Sequence, residues 1–350
     1  MDLSLSEDQQ MVQQVFARFF EKESSPERVR KSEETGFDAD LWNAVVATGL
    51  PTMGVAEDLG GGAATMIDLV LVARELGRRL APVPLIEVLV AARLLSDSSA
   101  DLAFVDQIAG GGLIPSIALH PVDSTDEIAR IVPAGAIADL VIALHGDRLV
   151  AVRSAPGSDD SPPLNLGSAP LADRWVAGDA VEVTVLAEGH EATHRYVTAL
   201  TEWKLLTAAA LSGLQAQAQH IGVEYVKGRE VFGAPLAWFQ AVQHRFADLA
   251  TEGLGAELLV LEAAWSHQAD TARFPELTDM AFVFAADVAS RTARESLQFH
   301  GGYGYTLEYD IQLYFRRAKA WPLALGPRRD VYESVAQRLV AAVTAPGDDA

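Results

Sequence analysis

Apolar positions recur with a helical period from residue 6 to about residue 95. Ser6 with Gln9 three positions on has the form of a capping box, and Met11, Val12, Val15, Phe16 and Phe19 then share one face of a predicted first helix. Phe37, Leu41, Trp42 and Val45 make a second such face, closed by Gly49 and Pro51. The run Asp58-Leu59-Gly60-Gly61-Gly62 predicts a loop, because consecutive glycines end a regular element. A third helix is expected over roughly residues 65–80, ending at Ala81-Pro82-Val83-Pro84, and a fourth follows it.

The pattern changes near Gly110. Residues 113–119, 140–144, 149–152 and 181–186 are short runs rich in β-branched side chains, and His145-Gly146-Asp147-Arg148 between two of them predicts a hairpin turn. Residues 154–170 are rich in Pro, Gly, Ser and Asp and predict a long loop. From about residue 191 the helical period returns, with long Ala- and Leu-rich segments over 198–227, 236–268, 275–298 and 330–343. The last five residues, from Pro346, are expected to fray. The pattern predicts an α+β chain that is mostly α. An N-terminal helical domain spans 1–110, a small β-domain 111–192, and a C-terminal four-helix bundle 193–350.

Composition narrows the function. The formal net charge of −21 disfavours phosphate backbones and anionic membranes as partners, although a local cationic site can still hold a phosphorylated cofactor. With no cysteine, disulfides, thiolate catalysis and Cys-ligated metals are excluded. His244, His267 and His300 lack metal-site spacing, so no metal is expected. The first ten residues contain neither a basic nor an apolar leader segment, and no apolar stretch reaches bilayer length, so a soluble, cytoplasmic protein is expected.

Two stretches carry candidate chemistry. Arg229-Glu230-Val231-Phe232-Gly233-Ala234-Pro235, followed by Trp238-Phe239-Gln240 and Gln243, falls between two predicted helices. An arginine at a helix end can bond a pyrophosphate, an aromatic can stack on a ring and a glutamine can bridge donors and acceptors. The same residues also read as a plain helix–helix turn with Phe232 as a core plug. The second stretch, Gln298-Phe299-His300-Gly301-Gly302-Tyr303-Gly304-Tyr305-Thr306-Leu307-Glu308-Tyr309, allows close backbone approach to an anion, or is a glycine C-cap and turn.

Taken together, in this order and with Arg317-Ala318-Lys319 after them, these stretches resemble the C-terminal domain of the acyl-CoA dehydrogenase family. Phe37-Asp38, Leu41-Trp42, Gly49-Leu50, Glu57-Asp58-Leu59-Gly60-Gly61 and Glu75-Leu76-Gly77-Arg78 resemble that family's N-terminal domain, so the likeness covers nearly the whole chain. The resemblance implies FAD as cofactor, α,β-dehydrogenation of an acyl-CoA thioester by a carboxylate base, and an electron-transfer flavoprotein as acceptor. It further implies that Arg229, Phe232, Gln240, Gln298, Gly301 and Gly302 reach the FAD of a neighbouring subunit.

The chain departs from the family where the base should stand. Leu325 occupies the position of the usual glutamate and Trp203 that of the alternative base. Glu202 is adjacent, but one residue turns a helical side chain by about 100°, so it is expected to be a solvated carboxylate. Glu308 matches a position that is not the base. Ile117-Ala118-Leu119-His120-Pro121 stands where a flavin-wrapping Thr-Glu-Pro loop is expected, and Pro327 replaces a FAD-binding threonine. No catalytic residue is assigned. The leading expectation is the base-less subunit of an α₂β₂ acyl-CoA dehydrogenase, paired with a complete subunit, as in some bacterial sterol-side-chain enzymes of the family. A self-sufficient homo-oligomer with a relocated base, such as Glu202, and an acyl-CoA-binding scaffold are the alternatives.

Overall fold

The computed structural model describes residues 3–97, 102–153, 164–179 and 181–344. Six helices come first: α1 (Glu7–Glu23), α2 (Pro26–Lys31), α3 (Ala39–Ala47), α4 (Met66–Arg78), α5 (Leu85–Ser96) and α6 (Leu102–Ala109). The Ser6 hydroxyl caps the Gln9 amide while the Gln9 side chain accepts from the Ser6 amide, completing the capping box. The predicted face of α1 is corrected. Phe20 is its buried residue and Val12, Phe16 and Phe19 lie against the core, but Met11 and Val15 are 63% and 52% exposed. The apolar stripe of α1 is therefore narrower and rotated toward Phe20. In α3, with Asp38 as N-cap, Leu41, Trp42 and Val45 are buried as the period predicts.

Strands β1 (Pro115–Ile117), β2 (Ile128–Val132), β3 (Leu140–His145), β4 (Arg148–Arg153), β5 (Ala172–Trp175) and β6 (Glu182–Glu188) follow. One sheet runs β1-β3-β4-β6, with β1 parallel to β3 and the other pairs antiparallel; β2 and β5 form a separate antiparallel pair. His145 pairs with Arg148 across the predicted two-residue turn, in which Gly146 has φ 61°. Because side chains alternate along a strand, Ile142, Leu144, Leu149 and Ala151 join the main core, while Val141, Ala143, Val150 and Val152 face a smaller core with Ala129, Val132 and Val176. The pair β2–β5 was not visible as strands because both are short and half polar. The expected loop over 154–170 lies outside the described residues up to residue 163; residues 164–171 form an irregular strap. The expected frayed tail also lies outside them.

Helix α7 (Gly189–Gly228) is the axis of the second half, packing on α4, α5, α8 (Gln240–Ala269) and α9 (Phe274–His300); α10 (Ile311–Ala320) and α11 (Arg328–Thr344) complete it. Between α7 and α8 lie two very short strands, β7 (Glu230–Val231) and β8 (Ala234–Pro235). Among the described residues no helix is long and apolar enough to cross a membrane.

Candidate functional site

The first motif forms one end of the helical bundle. Arg229 is the C-cap of α7, its amide bonded to the Tyr225 carbonyl at 2.9 Å. Phe232 and Gly233 make the two-residue turn of the β7–β8 hairpin with φ values of 55° and 79°. Positive φ at both turn positions matches the right-handed strand twist, but it is strained for a bulky residue. Phe232 gains no packing in return, being 95% exposed. The core-plug reading of Phe232 is thereby excluded.

The second motif sits at the same end. Phe299 packs at a tilt against Phe246 of α8, ring centroids 5.0 Å apart, and the His300 ring stacks on Tyr225 of α7 at 3.9 Å. Val226, Val242, Phe246 and Leu249 form the small apolar cluster beneath both motifs. His300 is buried with Nδ1 2.7 Å from the Ser296 carbonyl, and burial lowers its pKa; it is satisfied within its own helix. Gly301 ends α9 with φ 62° and ψ −145°, a region open essentially to glycine alone. A Cβ at Gly301 or Gly302 would meet nothing within 4 Å.

Arg229, Phe232, Gln240, Gln298, Gly301 and Gly302 are all exposed on this end. The Arg229 guanidinium has no ion pair or side-chain hydrogen bond among the described residues. The surface also exposes Trp238 (72%), Tyr303 and Tyr305. The arrangement offers an uncommitted cation, protruding aromatics and bare backbone, all on an open surface. These groups suit one side of a pyrophosphate-bearing aromatic cofactor.

The interior offers something different. A cavity of about 310 Å³ lies behind the 164–171 strap, walled by α4, α5, α7 and α10. The strap is tied in tightly: a Cβ on Gly36 would come 2.7 Å from Pro170, and one on Gly167 would come 2.8 Å from the Ala320 methyl. Trp203 is buried and lines this cavity, donating its indole N–H to Glu87 Oε1 at 3.2 Å. Glu87 also lines the cavity, and burial raises its pKa against its own backbone amide and the Trp203 bond. Sequence reasoning missed Glu87. Its signal was a single carboxylate in the otherwise apolar run Leu85-Ile86-Glu87-Val88-Leu89, which reads equally as a first-turn acid favoured by the helix dipole.

The expectation for Glu202 is corrected. It is 4% exposed, not solvated, and is held by Arg93 through two bonds, Nη2–Oε1 2.8 Å and Nε–Oε2 2.9 Å, with His267 Nε2 at 3.4 Å. As its helical position predicts, it turns away from Trp203 and the cavity. Leu325 packs against the main core. Glu308 is exposed and its carboxyl is held low, first by the Thr306 hydroxyl. His120 lies 3.3 Å from the Ala324 carbonyl, joining the middle region to the segment that carries Leu325. Among the described residues no cluster of three metal-ligating side chains occurs.

Comparison with known proteins agrees with this architecture. A profile for the acyl-CoA dehydrogenase N-terminal domain matches residues 6–99, and one for the acyl-CoA dehydrogenase C-terminal domain matches residues 193–340. The acyl-CoA dehydrogenase IpdE2 of Mycolicibacterium smegmatis is 29% identical over 333 residues, covering 93% of this chain and 97% of its own. Among solved structures, the ChsE4–ChsE5 complex of Mycobacterium tuberculosis contains a chain that superposes with a TM-score of 0.86 at 24% identity, covering 99% of this chain and all of that one. A steroid ACAD variant, Tcur3481–Tcur3483, gives a TM-score of 0.83 at 22% identity over 98% of this chain and all of that one. The chain belongs to the acyl-CoA dehydrogenase family.

Proposed function

We propose that this chain is the non-catalytic subunit of an FAD-dependent acyl-CoA dehydrogenase, an oxidoreductase acting on CH–CH bonds. Its bundle end completes the FAD site of a complete homologue in an α₂β₂ assembly. One observation carries the reading. The cofactor-type residues stand on an open outer surface, and by the family resemblance Leu325 and Trp203 stand at the two base positions. When bound, FAD supplies the hydride acceptor for the β-carbon of the acyl group. The work of this chain is binding: Arg229 for the pyrophosphate, Phe232 for a ring face, Gln240 and Gln298 as bridging groups, and the backbone at Gly301–Gly302 for close approach. The base that removes the α-proton belongs to the partner.

Supporting the pairing, one structural neighbour is named as the ChsE4–ChsE5 complex, and another, Tcur3481–Tcur3483, is called a steroid ACAD. A steroid-derived acyl-CoA is accordingly the proposed substrate class, with an electron-transfer flavoprotein as acceptor, in the cytoplasm. The proposed division of labour follows the boundaries 1–110, 111–192 and 193–350, with the last unit carrying the cofactor contacts. The bidentate Arg93–Glu202 pair argues against a self-sufficient enzyme using Glu202.

The test is a visible absorption spectrum of the chain purified alone and then co-expressed with a complete homologue encoded beside it. Flavin only in the complex, near one FAD per pair of chains, is the expected result. A full complement of flavin on the lone chain would overturn the reading.

A further inference from the structure

The start of α7 carries a pair of side chains that the cofactor reading leaves unused. His190-Glu191-Ala192-Thr193-His194 has the H-E-x-x-H order, and its two histidines have the i,i+4 spacing that His244, His267 and His300 lack. In a helix that spacing sets Cβ atoms about 5–6 Å apart on one face. Both histidines lie in the first turns of α7 and both are exposed. Their ring centroids stand 6.4 Å apart and the ring planes lie within 19° of parallel. Neither ring makes a hydrogen bond or an ion pair among the described residues. By contrast, His120, His145 and His300 each bond a backbone carbonyl, and His267 faces Glu202. Packing does not account for the pair either, since Ala192, Arg195 and Tyr196 supply the buried side of these turns.

We propose that His190 and His194 together bind one divalent transition-metal ion, Cu²⁺ more tightly than Ni²⁺ or Zn²⁺. Neutral imidazole is a ligand that suits all three ions, and copper heads the affinity order at a nitrogen site. Metal–nitrogen bonds of about 2.0–2.1 Å draw the two rings slightly closer than they stand, which exposed side chains achieve by small rotations. The site is not a hydrolytic centre. Such a centre takes a third protein ligand, and no cluster of three metal-ligating side chains occurs among the described residues. Water fills the other coordination positions, so the ion exchanges. The helix dipole opposes a cation at this end, and Glu191 in the first turn and the net charge of −21 offset it. Bound metal ties successive turns of α7 together just after Gly189, whose φ of 61° marks the break from β6.

The test is calorimetric titration of the full-length, untagged chain with Cu²⁺ after removal of metal by a chelator. The expected result is one Cu²⁺ per chain, bound at least about tenfold more weakly by His190→Asn and by His194→Asn, because each variant loses the chelate. His220→Asn, which alters an exposed histidine farther along α7, should bind as the wild type does. Zn²⁺ should occupy the same site more weakly. Electron paramagnetic resonance of the wild-type copper complex should show two equatorial nitrogens, a readout that needs no variant. The absence of stoichiometric binding, a one-nitrogen spectrum, or full affinity in both variants would overturn the proposal, the last by assigning the copper to other surface groups. Both ligands belong to this chain and the readout is metal rather than flavin, so this site and the partner reading fail independently.

Discussion

Gly77 of α4 lies so close to Ala210 of α7 that a Cβ at Gly77 would stand 1.9 Å from the Ala210 carbonyl oxygen. The contact is reciprocal: a Cβ at Gly213 of α7 would come 1.8 Å from the Arg74 carbonyl of α4. Two helices far apart in the sequence thus meet backbone to backbone. A methyl group at either position must push apart main chain, which cannot swing aside as a side chain can. Gly77→Ala is therefore expected to cost at least about 2 kcal/mol, in the upper part of the ~1–3 kcal/mol range for overpacking. Thermal denaturation should show the midpoint falling by ~3 °C or more; an unchanged midpoint would show that α4 and α7 can separate freely.

That crossing also shows what one sequence can and cannot reveal. Glu75-Leu76-Gly77-Arg78 stood out as a family-like string, but a lone glycine in a helical pattern signals only a weak helix. Its purpose requires Ala210, over 130 positions away, as read from their numbers. The same limit applies to Glu87 and Glu202. Both were visible as carboxylates, and the 100° rotation per residue placed Glu202 away from Trp203, but only the packing of α5 on α7 shows which one is ion-paired and which lines a cavity. The long helices and the His145–Arg148 hairpin were legible because their periodicity is local. The β2–β5 pair was not, since it joins strands 40 residues apart across a register shift.

Burial of Glu202 pushes its pKa up, but bonds from His267 and Arg93 and their charges outweigh it, and the net direction is down. A carboxyl depressed by folding stabilises the native state above its unfolded pKa of about 4.3 and loses that contribution as pH falls through the folded value. The wild-type midpoint should accordingly hold steady above about pH 5 and decline below it. Glu202→Gln removes the anion and leaves Arg93 buried without its charge partner, a loss of about 3 kcal/mol near neutrality. Its pH profile should be flatter on the acid side, with the two curves converging. Parallel curves from pH 7 to pH 3 would show that Glu202 is not the group that titrates.

Gly301 and Gly302 separate a backbone requirement from a ligand requirement. A Cβ at either meets nothing within 4 Å in the chain itself, yet only Gly301 has positive φ. Gly301→Ala should lower the stability of the isolated chain by about 1–3 kcal/mol, from conformation alone. Gly302→Ala should leave the thermal midpoint unchanged and reduce the flavin recovered per co-expressed complex, because the methyl stands where a bound group approaches the backbone. Flavin content equal to wild type in Gly302→Ala would exclude close approach at that residue.

Phe232 gives the sharpest contrast between folding and function. It occupies a left-handed conformation at φ 55°, is 95% exposed, and is followed by a glycine that shares the turn. The chain holds an aromatic ring in a conformation that costs of order 1 kcal/mol and recovers nothing from its own packing. Phe232→Gly fits the turn without strain, so the isolated chain should be as stable as wild type, or more so by up to ~1 kcal/mol. If the ring stacks on the cofactor of the partner subunit, the same substitution should lower flavin retention in the complex by about tenfold, the equivalent of ~1.4 kcal/mol. Measuring both quantities on one variant distinguishes the two ways the residue could matter. A stable Phe232→Gly chain with weakened flavin retention assigns the strain to binding, whereas full flavin retention would remove Phe232 from the shared site.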